Sequence, residues 1–143
     1  MTKTLAVLAA GLCALTLSLG AYAASDEYKA AKKKIADEYA VERQKCGSRY
    51  GVAADLCIAH ARGVRDVAKA ELEAAYKPSP RAYYDAAIVR AKTTYAVAKD
   101  ECNEKRGAEK SACLKEAFDA RQRAFGEAKT SRAAALADEA RKR

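Results

Sequence analysis

Two segments of this chain repeat each other at an offset of 56 residues, and each contains a pair of cysteines separated by ten residues. When residues 28–71 are aligned with residues 84–127, 13 of 44 positions are identical. Five of these identities are alanines, which match by chance in an alanine-rich chain. The informative ones are Tyr28/Tyr84, Tyr39/Tyr95, Val41/Val97, Cys46/Cys102, Gly51/Gly107, Cys57/Cys113, Arg65/Arg121 and Glu71/Glu127. The pattern indicates an internal duplication, so the fold consists of two copies of one unit.

Each copy predicts two helices joined by a short turn. Spacings of three and four residues place one stripe of side chains on the first helix of each copy. These stripes are Tyr28, Ala31, Ile35, Tyr39, Glu42 and Cys46 in the first copy, and Tyr84, Ala87, Ala91, Tyr95, Ala98 and Cys102 in the second. The second helices are expected over residues 52–76 and from about residue 108. Their inward residues are predicted to be Leu56, Val64, Ala68, Leu72 and Ala75, and Leu114, Phe118, Phe125 and Leu136.

Helix breakers set the predicted boundaries. Gly47, Gly51 and the segment Asn103–Gly107 predict turns inside the two copies, and Pro78-Ser79-Pro80 separates them. Ser25, followed by two acids, is expected to cap the first helix. The domain prediction is a cleaved signal peptide (1–23), a first helical hairpin (24–77), a linker (78–80), a second hairpin (81–135) and a basic C-terminal overhang (136–143). The overhang either frays, as untethered chain ends do, or forms a short basic contact element.

The first 23 residues are typical of a secretory signal. Lys3 supplies the positive start, residues 5–19 form an apolar stretch, and Ala21-Tyr22-Ala23 is a small-residue cleavage site. The apolar stretch is shorter than the ~20 residues that a membrane span needs. Cleavage removes Cys13 and leaves four cysteines in an oxidising compartment, where they are expected to form two disulfides.

Four cysteines allow three pairings: Cys46, Cys57, Cys102 and Cys113 are the disulfide residues in question. If the segments between the cysteines of each copy are turns, each copy can close its own bond. If each segment is one unbroken helix, its two sulfurs lie about 16 Å apart, and the bonds must join the two copies. The glycines in both segments favour turns. The predicted fold is therefore all-α, with two tandem antiparallel helical hairpins, each closed by a disulfide.

The sequence contains no motif of a known catalytic, cofactor-binding or metal-binding site, and we expect no enzyme activity, cofactor or metal. His60 is the one histidine, and its counterpart in the second copy is Glu116, so a surface position is predicted. The chain without its signal has a net charge of +7, but acids and bases alternate along it. This alternation favours a solvated helix surface over a dedicated anion site, and no specific nucleic acid is expected. The tyrosines on the predicted helix stripes are interpreted as core residues. The alternative is that they line a groove that binds extended peptides.

Residues 68–79 (AKAELEAAYKPS) and 95–102 (YAVAKDEC) resemble a group of small exported, Ala/Lys-rich proteins of Gram-negative bacteria. Members of this group contain two copies of a helix, a Cys-x10-Cys turn and a second helix, and are commonly described as TolA-like cell-envelope proteins. The resemblance covers nearly the whole chain after residue 23, although the membrane anchor and separate C-terminal domain of TolA itself have no counterpart. It implies a helical fold and a periplasmic location, and it implies no particular activity.

Two functional hypotheses follow from the sequence. The first is a non-enzymatic periplasmic protein with a structural or stress-related role in the cell envelope, whose partner is an unidentified envelope protein. The second is a small basic holdase chaperone that binds unfolded or acidic exported proteins through its charge and its tyrosines.

Overall fold

The computed structural model describes the backbone of residues 16–143 and the side chains from residue 25 onward. This part of the chain contains no strand. Its four helices are α1 (Thr16–Lys45), α2 (Val52–Tyr76), α3 (Pro80–Cys102) and α4 (Gly107–Arg141). A short 3₁₀ turn, Cys46–Ser48, follows α1 directly. The predicted all-α fold with four helices is confirmed.

Consecutive helices form two antiparallel hairpins, each closed by a disulfide. The bonded pairs, with Cα atoms 5.6 Å apart in both cases, are Cys46–Cys57 and Cys102–Cys113. At the opposite end of the first hairpin, the rings of Tyr28 and Tyr76 stack with centroids 4.2 Å apart. The helices of the hairpin therefore lie side by side along their length. The prediction that each copy closes its own disulfide is confirmed, and bonds between the copies are excluded.

Glycine ends the turn in both hairpins. Gly51 has φ of 59° and Gly107 has φ of 55°. Glycine populates positive φ without the steric penalty that a Cβ imposes on other residues. This conformation redirects the chain immediately before α2 and at the first residue of α4. The two glycines are an identical pair in the duplication, and the turns that they were predicted to mark are present.

The junction between the hairpins also follows from local sequence. Lys77 leaves helical geometry, with φ of −126° and ψ of 72°, because the proline after it disfavours the helical region. The hydroxyl of Ser79 then accepts a hydrogen bond of 3.0 Å from the backbone N–H of Ala82. Pro80 is the first residue of α3, a position that needs no N–H donor.

The start of α1 differs from the expectation. Ser25 was expected to cap the helix, but α1 already begins at Thr16, so Ser25 lies inside it. The residues before Ser25 include alanine and leucine, which are strong helix formers and continue the helix in the N-terminal direction. Most of the predicted signal peptide, residues 1–15, lies outside the described residues. The predicted cleavage site falls within the helical backbone of α1.

Each helix packs only against its neighbours in sequence. Within residues 16–143, Cα atoms of different helices come within 8 Å of each other between α1 and α2, α2 and α3, and α3 and α4, and between no other pair of helices. The two hairpins are therefore joined through the α2–α3 interface into one array. This array is open, unlike a closed four-helix bundle, in which the first and last helices also meet.

The interior of the array is made of small residues. Among the described side chains, those that are buried are Cys46, Ala61, Ala74, Ala86, Ala91, Cys102, Ala117 and Ala128. The inward stripe predicted for α3 is correct, because Ala91 and Cys102 are buried and Tyr84 and Tyr95 are half-buried.

The inward residues predicted for α2 and α4 are wrong in part. Phe118 is 41% exposed and Leu136 is 47% exposed, and Val64 is also largely exposed. The reason is that alanine, and not the larger apolar residues, occupies the closest contact between helices. The segment from residue 136 remains helical to Arg141 and is not frayed.

Close packing of α2 on α3 depends on Gly63. A Cβ atom at this position would lie 2.6 Å from Cγ2 of Thr93 on α3, closer than real Cβ contacts. Glycine inside a helix costs about 1 kcal/mol relative to alanine. Here its absent side chain allows the two hairpins to approach each other.

Candidate functional site

The open side of the array is a groove with a volume of about 840 Å³. Its floor is α3, and its walls are the C-terminal part of α2 and most of α4. The groove is open because the helices that wall it do not contact each other. Eleven of its 22 lining residues are alanine, so its surface is shallow and apolar and a ligand can approach the helix backbones closely.

Helical periodicity explains how α4 contributes its wall. Ala117, Ala124 and Ala128 recur at spacings of seven and four residues, which keeps them on one face of the helix. Arg121 and Arg132 belong to the same face, since they follow Ala117 and Ala128 by four residues. Two guanidinium groups therefore interrupt an otherwise alanine-lined wall.

Both arginines stack on tyrosines of the groove floor. The guanidinium carbon of Arg121 lies 4.2 Å from the ring centroid of Tyr95 and 4.8 Å from that of Phe118. The guanidinium carbon of Arg132 lies 5.3 Å from the ring centroid of Tyr84. Cation–π attraction of this kind orients the cation and contributes roughly 0.5–2 kcal/mol, depending on its exposure to water.

In each of these arginines, one guanidinium donor lacks an acceptor. The Nε atoms of Arg121 and Arg132 are buried and have no acceptor, and they are the two side-chain polar atoms in this condition within the described part of the chain. No ion pair in that part involves either residue. A buried donor without a partner costs about 1–3 kcal/mol, and more when it is charged. The buried Nε atoms themselves are out of reach of a ligand, but both guanidinium groups line the groove without an ion-pair partner among the described residues.

In the first hairpin, the arginine equivalent to Arg121 has an acidic partner. Arg65, the counterpart of Arg121, stacks on Tyr39 at 4.5 Å and also pairs with Asp66 at 2.8 Å. In the second hairpin, the residue equivalent to Asp66 is Gln122. Among the described side chains, buried guanidinium Nε atoms without an acceptor therefore occur only in the second hairpin.

The position equivalent to Arg132 in the first hairpin is Tyr76, which stacks on Tyr28. The Tyr28 hydroxyl donates a hydrogen bond to the carboxylate of Glu73, and this bond raises the pKa of Tyr28 above its usual value. At the other end of the hairpin, the guanidinium of Arg62 lowers the pKa of Tyr39, with smaller effects of Arg65 and Arg43. Tyr28, Tyr39 and Tyr76 are thus engaged within the first hairpin.

The other charged residues of the groove are Glu71, Arg90 and Glu127. Arg90 on α3 forms an ion pair with Glu71 on α2, so these two charges offset each other. Glu127 contributes one negative charge. Together with Arg121 and Arg132, this leaves the groove with a net positive charge.

The remaining predicted positions lie elsewhere. The four disulfide cysteines lie at the turn ends of the hairpins, and none lines the groove. His60 is exposed, as predicted, beside a small cleft of about 190 Å³ between α2 and α3. Residues 16–143 contain no cluster of three His, Cys, Asp or Glu side chains placed to bind a metal. No helix in the same range combines the length and the apolar character of a membrane span.

The predicted solvated helix surface is present. Of the eleven ion pairs found among the described side chains, ten join residues no more than four positions apart. Such exposed pairs each contribute roughly 0–1 kcal/mol. The dense run Lys32-Lys33-Lys34 belongs to this surface, since Lys33 pairs with Asp37 at 2.6 Å and Lys34 with Glu38 at 3.7 Å.

Two tyrosines of the second hairpin both pack between helices and line the groove, and their binding of an extended peptide stays a prediction. Tyr84 and Tyr95 are half-buried, as core residues would be, and also line the groove. Sequence reasoning missed the groove arginines. A signal for Arg121 was available, because it is identical to Arg65 in the duplication. No such signal exists for Arg132.

Comparison of the chain with known protein families, with curated proteins and with solved structures finds no match. Its function is therefore inferred from the residues of the groove.

Proposed function

We propose that this chain is an exported, non-enzymatic helical protein of the periplasm, with a structural or stress-related role in the cell envelope that it performs by binding another protein in its groove. The observation that carries the proposal is the groove itself. It is apolar and open along one side, and it is lined by Arg121 and Arg132, which form no ion pair among the described residues. These are features of a binding surface that is completed by a partner.

Export is supported by two independent features. The first 23 residues have the charge, apolar stretch and cleavage site of a secretory signal. The two disulfides belong to an oxidising compartment, because cytosolic thiols are kept reduced. The periplasm is the compartment that the resemblance to TolA-like envelope proteins implies.

Export is tested by fractionating cells of a Gram-negative host that express the full chain. We expect the protein in the osmotic-shock fraction, with its N-terminus at Ala24 and with all four remaining cysteines resistant to thiol alkylation. An unprocessed chain with free thiols in the cytosol would refute the proposed location.

Binding in the groove is tested by photo-crosslinking in living cells. A photoreactive residue at Thr94, an exposed position on the groove floor, is compared with one at Lys99, which is exposed on α3 outside the groove. We expect a protein adduct from Thr94 and none of the same mass from Lys99. Identical adducts from both positions, or none from Thr94, would contradict a partner in the groove.

A holdase chaperone is the second candidate, and exposed apolar side chains favour it. Tyr50 is 87% exposed, and Val52 and Tyr83 are also largely exposed. Together with the net charge of +7, these residues provide apolar and electrostatic contacts for unfolded exported proteins. The test is suppression of aggregation of a reduced, acidic client at low and at high salt. Electrostatic capture is screened by salt, so aggregation that changes with neither salt nor reductant would refute this candidate.

A further inference from the structure

We propose that the groove binds an acidic α helix of the partner protein, one that presents two carboxylates eleven residues apart on a face of small apolar side chains. This inference rests on the proposed function of the groove as a protein-binding site, and it names the chemistry of the segment that binds there.

The shape of the groove matches a helix. The lining residues of α3 extend from Pro80 to Ala98, which at 1.5 Å per residue corresponds to a length of about 27 Å, or five helical turns. The two walls both pack on α3, and no Cα atom of α2 lies within 8 Å of a Cα atom of α4. A helix placed between them occupies the position that the fourth member takes in a closed bundle. The alanine lining permits the short interaxial distance of about 8 Å that small side chains allow.

The charges of the groove select an acidic helix. Arg121 and Arg132 are eleven residues apart on one helix, so their Cα atoms are separated by about 16 Å along a single face. Stacking on the floor tyrosines fixes the orientation of both guanidinium groups. A helix of the partner that runs along α4 has the same rise per residue. Its carboxylates at positions i and i+11 therefore meet the two guanidinium groups in register.

The spacing also disfavours an anionic lipid as the ligand. A fatty acid or a phosphatidylglycerol carries one anionic group, which pairs with only one of two arginines whose Cα atoms lie about 16 Å apart. The second guanidinium group would then remain without an anionic partner. A peptide helix can supply an acceptor to each.

The direct test uses two alanine-based helical peptides with identical composition. One carries two glutamates eleven residues apart, on one face, and the other carries them nine residues apart, on opposite faces. Their binding to the processed, disulfide-bonded chain is measured by fluorescence anisotropy. We expect the first peptide to bind at least tenfold more tightly, because only it forms both charge-assisted hydrogen bonds.

Protein variants locate the binding site. Arg121→Gln and Arg132→Gln are each expected to weaken binding of the first peptide by about tenfold. The matched control is the double variant Arg123→Gln/Lys129→Gln, which removes two exposed charges of α4 that do not line the groove. It is expected to change affinity by less than twofold. Circular dichroism and thermal melting establish that each variant is folded.

An exchange of charges between the protein and the peptide provides a second test, which does not depend on the stability of Arg121→Gln. In this experiment Arg132→Glu is combined with a peptide in which the corresponding glutamate is lysine. Recovery of affinity supports the inference, and failure to recover in a folded variant overturns it.

Three other results would also overturn the inference. They are equal affinity for the two peptides, an equal loss of affinity in the control variant, and arginine-dependent binding of phosphatidylglycerol vesicles in place of the peptides. A partner crosslinked at Thr94 combined with no peptide binding would refute the acidic helix alone. Peptide binding without any partner at Thr94 would refute the proposed function and leave the groove's preference for acidic helices standing.

Discussion

Removal of the disulfide Cys46–Cys57 is expected to release α1, whereas removal of Cys102–Cys113 is not expected to release α3. The difference follows from the order of packing, because α1 contacts only α2, while α3 is held by both α2 and α4. The two bonds close loops of equal length, with a sequence separation of 11 residues in each. A loop of this size restricts the unfolded chain by about 3 kcal/mol. The two disulfides therefore close loops of equal length but stabilise helices that are packed differently.

The experiment compares Cys46→Ala/Cys57→Ala with Cys102→Ala/Cys113→Ala. Alanine is used at all four positions because it favours helices and adds no polar group at the buried Cys46 position. Hydrogen exchange followed by mass spectrometry reports protection along each helix. In the first variant we expect amides of α1 to exchange about 100-fold faster, which corresponds to the loss of about 3 kcal/mol. In the second variant we expect α3 to change by less than tenfold.

The outcome that refutes this reasoning is an equal loss of protection in α1 and α3 when the respective bonds are removed. Such a result would mean that the hairpins are stabilised by their bonds alone, and that the α2–α3 interface contributes nothing to the stability of α3. Wild-type protein treated with reductant provides the control in which both bonds are absent.

Three further predictions concern local features. Replacing Gly63 with alanine is expected to weaken the contact between the hairpins and to lower the free energy of unfolding, measured in urea, by about 1 kcal/mol or more. At Gly126 a Cβ atom meets nothing, so Gly126→Ala is expected to raise the free energy of unfolding by up to about 1 kcal/mol. An increase in both variants would contradict the close approach of α2 and α3 at Gly63. Gly51→Ala is expected to cost about 1–3 kcal/mol because φ is 59°, and Gly47→Ala, equally open to a Cβ, is expected to be near neutral. The raised pKa of Tyr28 means that its hydrogen bond stabilises the fold below a pH of about 10 and is lost as the pH rises through the higher folded pKa. The Tyr28→Phe variant should therefore show a smaller fall in melting temperature above pH 10 than the wild type, and an equal fall would refute this contribution.

Local features of the fold could be predicted because single residues determine them. Gly51 and Gly107 have backbone angles that other residues avoid, and Pro80 and Ser79 begin a helix through the geometry of one ring and one hydroxyl. Once the turns were assigned, each hairpin could close its own disulfide, and this pairing was favoured. None of these inferences needed knowledge of which helices pack together.

The order of packing could not be predicted, because alanine faces are alike. The buried faces of α3 and α4 consist mostly of alanine, and such faces pack against any partner that approaches closely. Large apolar residues, which usually identify the buried face, are misleading here. Phe118 is 41% exposed because it covers Arg121 from the side and does not fill the interface. The groove depends on the missing contact between α2 and α4, and no local pattern in the sequence encodes that absence.

The two copies share the residues that close a hairpin and differ in those that leave a charge unpaired. The stacked pair Tyr39–Arg65 has its counterpart in Tyr95–Arg121, with similar distances of 4.5 and 4.2 Å. Stacking alone is therefore compatible with either a paired or an unpaired guanidinium, and the neighbouring residue decides between them. In the first copy, the carboxylate of Asp66 pairs with Arg65. The equivalent residue of the second copy, Gln122, has no carboxylate. Because a structural role is fulfilled equally well by the paired form, the unpaired arginines in the groove are better explained by a ligand that supplies the missing carboxylates.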